Sequence, residues 1–140
     1  MTYEPRFDID LEYGKQGEQY VESGLRWLFT GKGEVKRDAV ATRSGNLFLE
    51  CLCKGRDGKW RRSGISTTES ALWAHVVGDT GVVVLIPSAP LRHLASELWR
   101  DKENRRDNPH GENPTRGVVL PLKRLIDHVS AFPFVNQDTA

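Results

Sequence analysis

Gly33-Glu34-Val35-Lys36-Arg37-Asp38, followed by Asn46-Leu47-Phe48-Leu49-Glu50, is the stretch that decides how this chain reads. Both runs are β-prone, and Thr42-Arg43-Ser44-Gly45 between them carries hairpin-turn chemistry. A strand is expected over Gly33–Ala41 and another over Asn46–Lys54. On the first, Glu34, Lys36 and Asp38 share one face because the side-chain period is two, and Val35 points the other way, into a core. Burying three ionisable groups in a row is costly, so their face should line a wet cleft that holds a cation. With an odd turn centred on Ser44, Glu50 faces Asp38, Leu52 faces Lys36 and Lys54 faces Glu34. Two carboxylates with Cβ atoms about 5 Å apart require a counter-charge. Hard oxygen ligands suit Mg²⁺, with Mn²⁺ as a substitute.

Outward from the hairpin, a helix is expected from Leu11 to Phe29, with Leu11, Glu18, Val21, Leu25 and Leu28 close to one stripe. After a turn at Gly55–Lys59, Trp60–Ile65 continues in a strand. Ser66-Thr67-Thr68-Glu69 has the caps of a helix start, and that helix should end before Gly78. Val82–Ile86 is apolar throughout, the mark of a central buried strand. Pro90–Trp99 reads as a helix, Arg100–Asn113 as a solvated loop, Gly117–Leu120 as a strand, and Pro121–Val129 as a helix. The expected fold is α/β: one domain over residues 1–135, a central mixed sheet flanked by helices in αβββαβ order plus a C-terminal strand and helix, and a frayed tail over 136–140.

Composition narrows the function classes. The 140 residues carry 20 basic and 19 acidic side chains, a net charge of +1, which excludes an indiscriminate DNA-coating protein. Setting aside Glu18, Glu34, Asp38 and Glu50 leaves 20 basic against 15 acidic side chains, so a local acidic cleft edged by a basic face remains open. Cys51 and Cys53, two apart on a strand, are poorly placed to bridge each other and read as small half-buried hydrophobes of a reducing compartment. No signal peptide or bilayer-spanning apolar run is found, so no membrane partner and a cytoplasmic location are expected.

The order of motifs resembles the PD-(D/E)XK nuclease superfamily, and within it small phage-type endonucleases akin to Holliday-junction resolvases. The residues that carry the resemblance are Gly17-Glu18, Glu34-Val35-Lys36-Arg37-Asp38, Gly45-Asn46-Leu47-Phe48-Leu49-Glu50, and Ser63-Gly64-Ile65-Ser66-Thr67-Thr68-Glu69-Ser70-Ala71-Leu72-Trp73. They span roughly Asp8 to Leu94. The resemblance implies a restriction-endonuclease-like core and Mg²⁺-dependent hydrolysis of phosphodiester bonds in branched DNA. The setting would be DNA recombination in a bacterial or phage-infected cell. Asp38, Glu50 and Glu18 would hold metal. One departure stands out: the superfamily pattern has a lysine where this chain has Leu52. Lys36, opposite Leu52 in the expected hairpin, is assigned the lysine role, with Glu34 and Lys54 as additional candidates.

Lys54, Arg56, Lys59, Arg61 and Arg62 set five cations against Asp57 within nine residues, well placed to meet phosphates. Ser66, Thr67 and Thr68 offer hydroxyls and free N–H groups at the expected helix start, a phosphate seat. Trp60 and Trp73 are read as bases' stacking partners or core aromatics. The four histidines show no ligand spacing and are given no role. The leading expectation is an endonuclease on branched or Holliday-junction DNA, working as a homodimer. The alternatives are an exonuclease or restriction-like nuclease on the same site, and an inactive nuclease fold that only binds nucleic acid.

Overall fold

The computed structural model describes residues 5–39, 41–109 and 112–129; the expected tail over 136–140 lies outside them, as does His110. The chain is α/β, and its strands divide between two sheets. In chain order the elements are α1 (Pro5–Phe29), β1 (Gly33–Asp38), the short α2 (Ala41–Ser44), β2 (Asn46–Lys54) and β3 (Trp60–Arg62). Then follow β4 (Leu72–Val77), β5 (Val83–Pro87), α3 (Ser88–Trp99), β6 (Arg105–Asn108), β7 (Thr115–Pro121) and α4 (Leu122–Val129). One sheet is mixed, ordered β1-β4-β5, with β1 parallel and β5 antiparallel to β4. The other is antiparallel, ordered β3-β2-β7-β6.

The expected β1–β2 hairpin is absent. β1 gives its edge to β4 and β2 pairs with β3 and β7, so Glu50 stands opposite Gly117 rather than Asp38. Leu72–Val77, the second half of the expected helix, is instead the central strand of the mixed sheet, and its first four residues are buried. Val82 and Val83, expected in a buried strand, are exposed, and β5 is an edge. The expected loop over Arg100–Asn113 contributes a 3-10 turn at Lys102–Asn104 and strand β6.

Alternation along β2 buries Leu47, Leu49 and Cys51 on one face. They meet Leu91, Leu94, Ala95 and Leu98, spaced along one side of α3, together with Val118 and Leu120 of β7, Trp73 of β4 and Leu125 of α4. α1 docks by a different stripe from the one its leucines suggest. Leu11, Val21 and Leu25 are exposed, while Ser23 and Gly24 are buried, and a Cβ on Gly24 would lie 3.1 Å from a Leu72 methyl. The contact is made by the helix's smallest residues, which a hydrophobicity count passes over. Val35 is likewise 57% exposed, outside the core.

Candidate functional site

The parallel register sets Glu34 beside Trp73, Lys36 beside His75 and Asp38 beside Val77. Residues in register share a face, so the three ionisable side chains of β1 flank two buried side chains of β4. The indole Nε1–H of Trp73 donates to His75 Nδ1 at 3.2 Å. Indole only donates, so the imidazole proton sits on Nε2, which faces Asp38 Oδ2 at 3.3 Å. Burial pushes the His75 pKa down, partly offset by the hydrogen bond to Asp38 and by its charge, and His75 is a neutral donor. Asp38 also accepts the Ala41 N–H on Oδ1 at 3.1 Å and the Phe48 N–H on Oδ2 at 2.8 Å.

The last of these bonds lands on β2. There Glu50 accepts the Ser63 hydroxyl at 2.7 Å. Ser63 reaches it because Gly64, at φ +54°, lies flat against β2: a Cβ there would come within 2.4 Å of the Glu50 carbonyl oxygen. Across the ladder, a Cβ on Gly117 would meet the Leu49 carbonyl oxygen at 2.1 Å. Phe48 and Glu50 are two residues apart, about 7 Å along one strand. Asp38 and the Ser63–Gly64 turn therefore dock side by side on the edge of β2 that β7 leaves free.

Other expected site residues fall elsewhere. Lys36 is ion-paired with Glu34 at 2.8 Å, and its Nζ lies 5.9 Å from the centre of a Trp73 ring. It keeps the face of Asp38 but does not oppose Leu52, because β1 pairs with β4 while Leu52 stands between Arg62 and Arg116 and packs on the core. Lys54 pairs with Trp60, not Glu34, and its Nζ lies 5.8 Å over the indole. Glu18 sits near the middle of α1, in its exposed stretch over 11–19. Among the described residues, Glu18, Asp38 and Glu50 do not converge as a ligand set.

The basic turn is partly committed. Arg61 grips Asp57 through two hydrogen bonds, at 2.9 and 2.5 Å, and holds its pKa down at about 2. Arg62 donates to the Ser66 carbonyl at 3.1 Å, leaving Arg56 and Lys59 exposed. Arg116 stacks 4.5 Å over the Trp60 ring that Lys54 also covers. The phosphate seat at Ser66–Thr68 does not form. Those residues close the 3-10 turn Gly64–Ser66, and their N–H groups donate to the Ser63 and Gly64 carbonyls, at 3.0–3.1 Å. Arg92 then ties down the Ile65 and Thr68 carbonyls.

No family model, curated protein or solved structure matches the chain.

One convergence was missed from the sequence. His93 and Glu97 of α3 meet His128 of α4, with one ligand atom from each lying within 4.8 Å of the others. His93 and Glu97 are spaced i, i+4 and so share a helix face, a signal legible in sequence. The third member arrives from 35 residues beyond His93, and only the packing of α4 on α3 brings it in.

Proposed function

We propose that the chain is a divalent-metal-dependent DNA endonuclease with a restriction-endonuclease-like core, acting on branched or Holliday-junction DNA with Mg²⁺, and with Mn²⁺ as a substitute. The observation that carries this reading is the Asp38 carboxylate, held by three donors and docked on the β2 edge two residues from Glu50. Two hard carboxylates are a fitting donor set, since Mg²⁺ is commonly held by one or two carboxylates and keeps several waters. A third protein ligand is not needed, and Glu18 falls outside the proposed set.

Asp38 and Glu50 would hold the ion, which when bound lowers the pKa of a water and neutralises phosphate oxygens. Three fixed donors orient Asp38, and Ser63 orients Glu50, so little reorganisation is left for the moment of reaction. Lys36, on the face of Asp38, supplies a cation for phosphate charge, with Glu34 setting its position. Arg56 and Lys59, with Lys54 beside Trp60, offer charge to the DNA backbone, while Arg116 is committed to Asp107 through two hydrogen bonds, at 2.5 and 2.9 Å. A homodimer, and the cytoplasm of a bacterial or phage-infected cell, complete the reading. The free thiols of Cys51 and Cys53 suit such a compartment. Within the described residues no helix is long and apolar enough to cross a membrane.

Leu52 favours a second reading, a nuclease fold that binds nucleic acid without cutting it. Incubation with plasmid and with a synthetic four-way junction, in Mg²⁺, Mn²⁺ or EDTA, separates the two. Metal-dependent cleavage abolished by Asp38→Asn supports the nuclease. Junction binding with no cleavage in Mn²⁺ supports the second reading.

A further inference from the structure

We propose that His93, Glu97 and His128 form a second metal site, one that takes a zinc-class transition ion and clamps α4 onto α3. His93 Nδ1 and His128 Nε2 lie 3.3 Å apart, their rings stacked at 5.3 Å between centroids. Two imidazole nitrogens bound to one tetrahedral ion at 2.0–2.1 Å would stand about 3.3–3.4 Å apart. The Glu97 carboxylate reaches toward both rings, with Oε1 3.9 Å from His93 Nδ1 and Oε2 3.6 Å from His128 Nδ1. The first is close to the spacing of ligands around one ion; the second is to the ring nitrogen of His128 that faces away from His93, and the set as a whole keeps one ligand atom from each residue within 4.8 Å of the others.

Ligand chemistry sets the ion. Two neutral imidazoles and a carboxylate suit Zn²⁺, whereas Mg²⁺ prefers oxygen donors in an octahedron. This separates the site from the Asp38–Glu50 carboxylates on the β1 and β2 strands. Exposure allows the ion to enter, since the His93 side chain is 57% exposed and that of Glu97 40%. His128 is the most sheltered at 15%, one turn beyond Leu125, which α4 buries in the core. An ion held by all three would fix the end of α4 to the middle of α3. Three protein ligands leave a fourth position for water.

The test uses the full chain and the metal alone. Wild type should bind one Zn²⁺ per chain, with a higher Tm in ZnCl₂ than in EDTA, while any shift in MgCl₂, which would act at Asp38 and Glu50, should be unchanged in His93→Ala. Substituted Co²⁺ should show the visible bands of a nitrogen–oxygen tetrahedral site. His93→Ala and His128→Ala should each weaken Zn²⁺ binding about tenfold or more and remove the Tm shift. Glu97→Gln keeps the size of the side chain and should weaken binding in the same direction, while Asp38→Asn should bind Zn²⁺ like wild type. Substoichiometric Zn²⁺ in the wild type would overturn the proposal. So would unchanged affinity in both histidine variants, which would put the ion on the thiols or elsewhere. These readouts need no nuclease activity.

Discussion

Asp38 Oδ2 and the backbone N–H of Phe48 lie 2.8 Å apart, and this bond ties the end of β1 to the free edge of β2, joining two sheets that share no ladder at that point. One carboxylate does the holding that a hairpin ladder was expected to do. Stability and the proposed chemistry therefore meet on one side chain. Asp38→Asn keeps the shape and one acceptor oxygen but places an NH₂ against a donor. It should cost about 1–3 kcal/mol in chemical denaturation. Metal-dependent cleavage should fall on the order of 100-fold or more, measured where the variant is still fully folded. Retained cleavage in folded Asp38→Asn would reduce the residue to a structural joint.

His75 touches Asp38, so on the proposed nuclease reading its effect on cleavage should be graded. His75→Leu removes both the acceptor of the Trp73 indole and the Nε2–H directed at Asp38. Mn²⁺ affinity and cleavage should both fall about 10–100-fold, as for other groups that orient a ligand. Far-UV circular dichroism should stay that of the wild type. Equal loss of fold and activity would mean that the chain from Trp73 only supports the core.

Much of the fold was legible locally. β2 runs over Asn46–Lys54 as its alternation predicts, and α3 and β7 lie within two residues of their apolar patterns. What failed depended on distant partners. The caps at Ser66–Glu69 fit a helix, yet Arg92, from another element, holds the Ile65 and Thr68 carbonyls, and Leu72–Val77 is drawn between β1 and β5. Tertiary pairing overrides propensity there. Turn chemistry at Thr42–Gly45 argued for a hairpin, but parallel pairing of β1 with β4 leaves no local signal. For the site, the shared face of Glu34, Lys36 and Asp38 held. The placing of Glu50, Leu52 and Lys54 did not, because it hung on that hairpin's register.

Gly64 is the tightest point beside Glu50. Its positive φ and the 2.4 Å approach to the Glu50 carbonyl oxygen leave no room for a methyl group. Gly64→Ala should destabilise the fold by about 1–3 kcal/mol through strain and displacement of the turn. Ser63 would move with it, so Mn²⁺ affinity should fall as well. Ser63→Ala, which only deletes the hydroxyl on Glu50, should lower Mn²⁺ affinity with a smaller loss of stability. A thermal melt and a Mn²⁺ titration on both variants check the pair.

The clamp in the basic turn carries a defined acid dependence. Arg61 holds Asp57 at about 2, below the ordinary carboxylate value of about 3.9. A group whose folded pKa is depressed stabilises the fold above its unfolded pKa and loses that contribution as pH falls through the folded value. The Arg61–Asp57 contact should thus persist to about pH 4 and open progressively toward pH 2. The Asp57 carboxyl carbon, followed by NMR, should titrate near 2 in wild type and move up in Arg61→Gln, where the Lys59 N–H still holds part of the depression. A wild-type midpoint near 3.9 would mean that the pair is open in solution.

Leu52 offers the sharpest test of how the bulge divides β2. The pattern of the nuclease superfamily that the motifs resemble has a lysine at this position, and if only that cation were missing, Leu52→Lys should raise cleavage. Here the pairing shifts after Glu50, and Leu52 packs against the core instead of toward the Asp38 row. A lysine would carry its charge beside Trp99 and Ala95, in a pocket that Arg62 and Arg92 already line. The expected result is no gain in cleavage and a stability loss of about 1–3 kcal/mol from burying an ammonium beside like charges. Lys36→Ala should lower cleavage in the same assay, since Lys36 lies on the face of Asp38, while Lys36→Arg should retain part of it. A Leu52→Lys variant that cuts faster while Lys36→Ala cuts normally would put the catalytic cation at position 52, and the bulge would then have to relax when DNA binds.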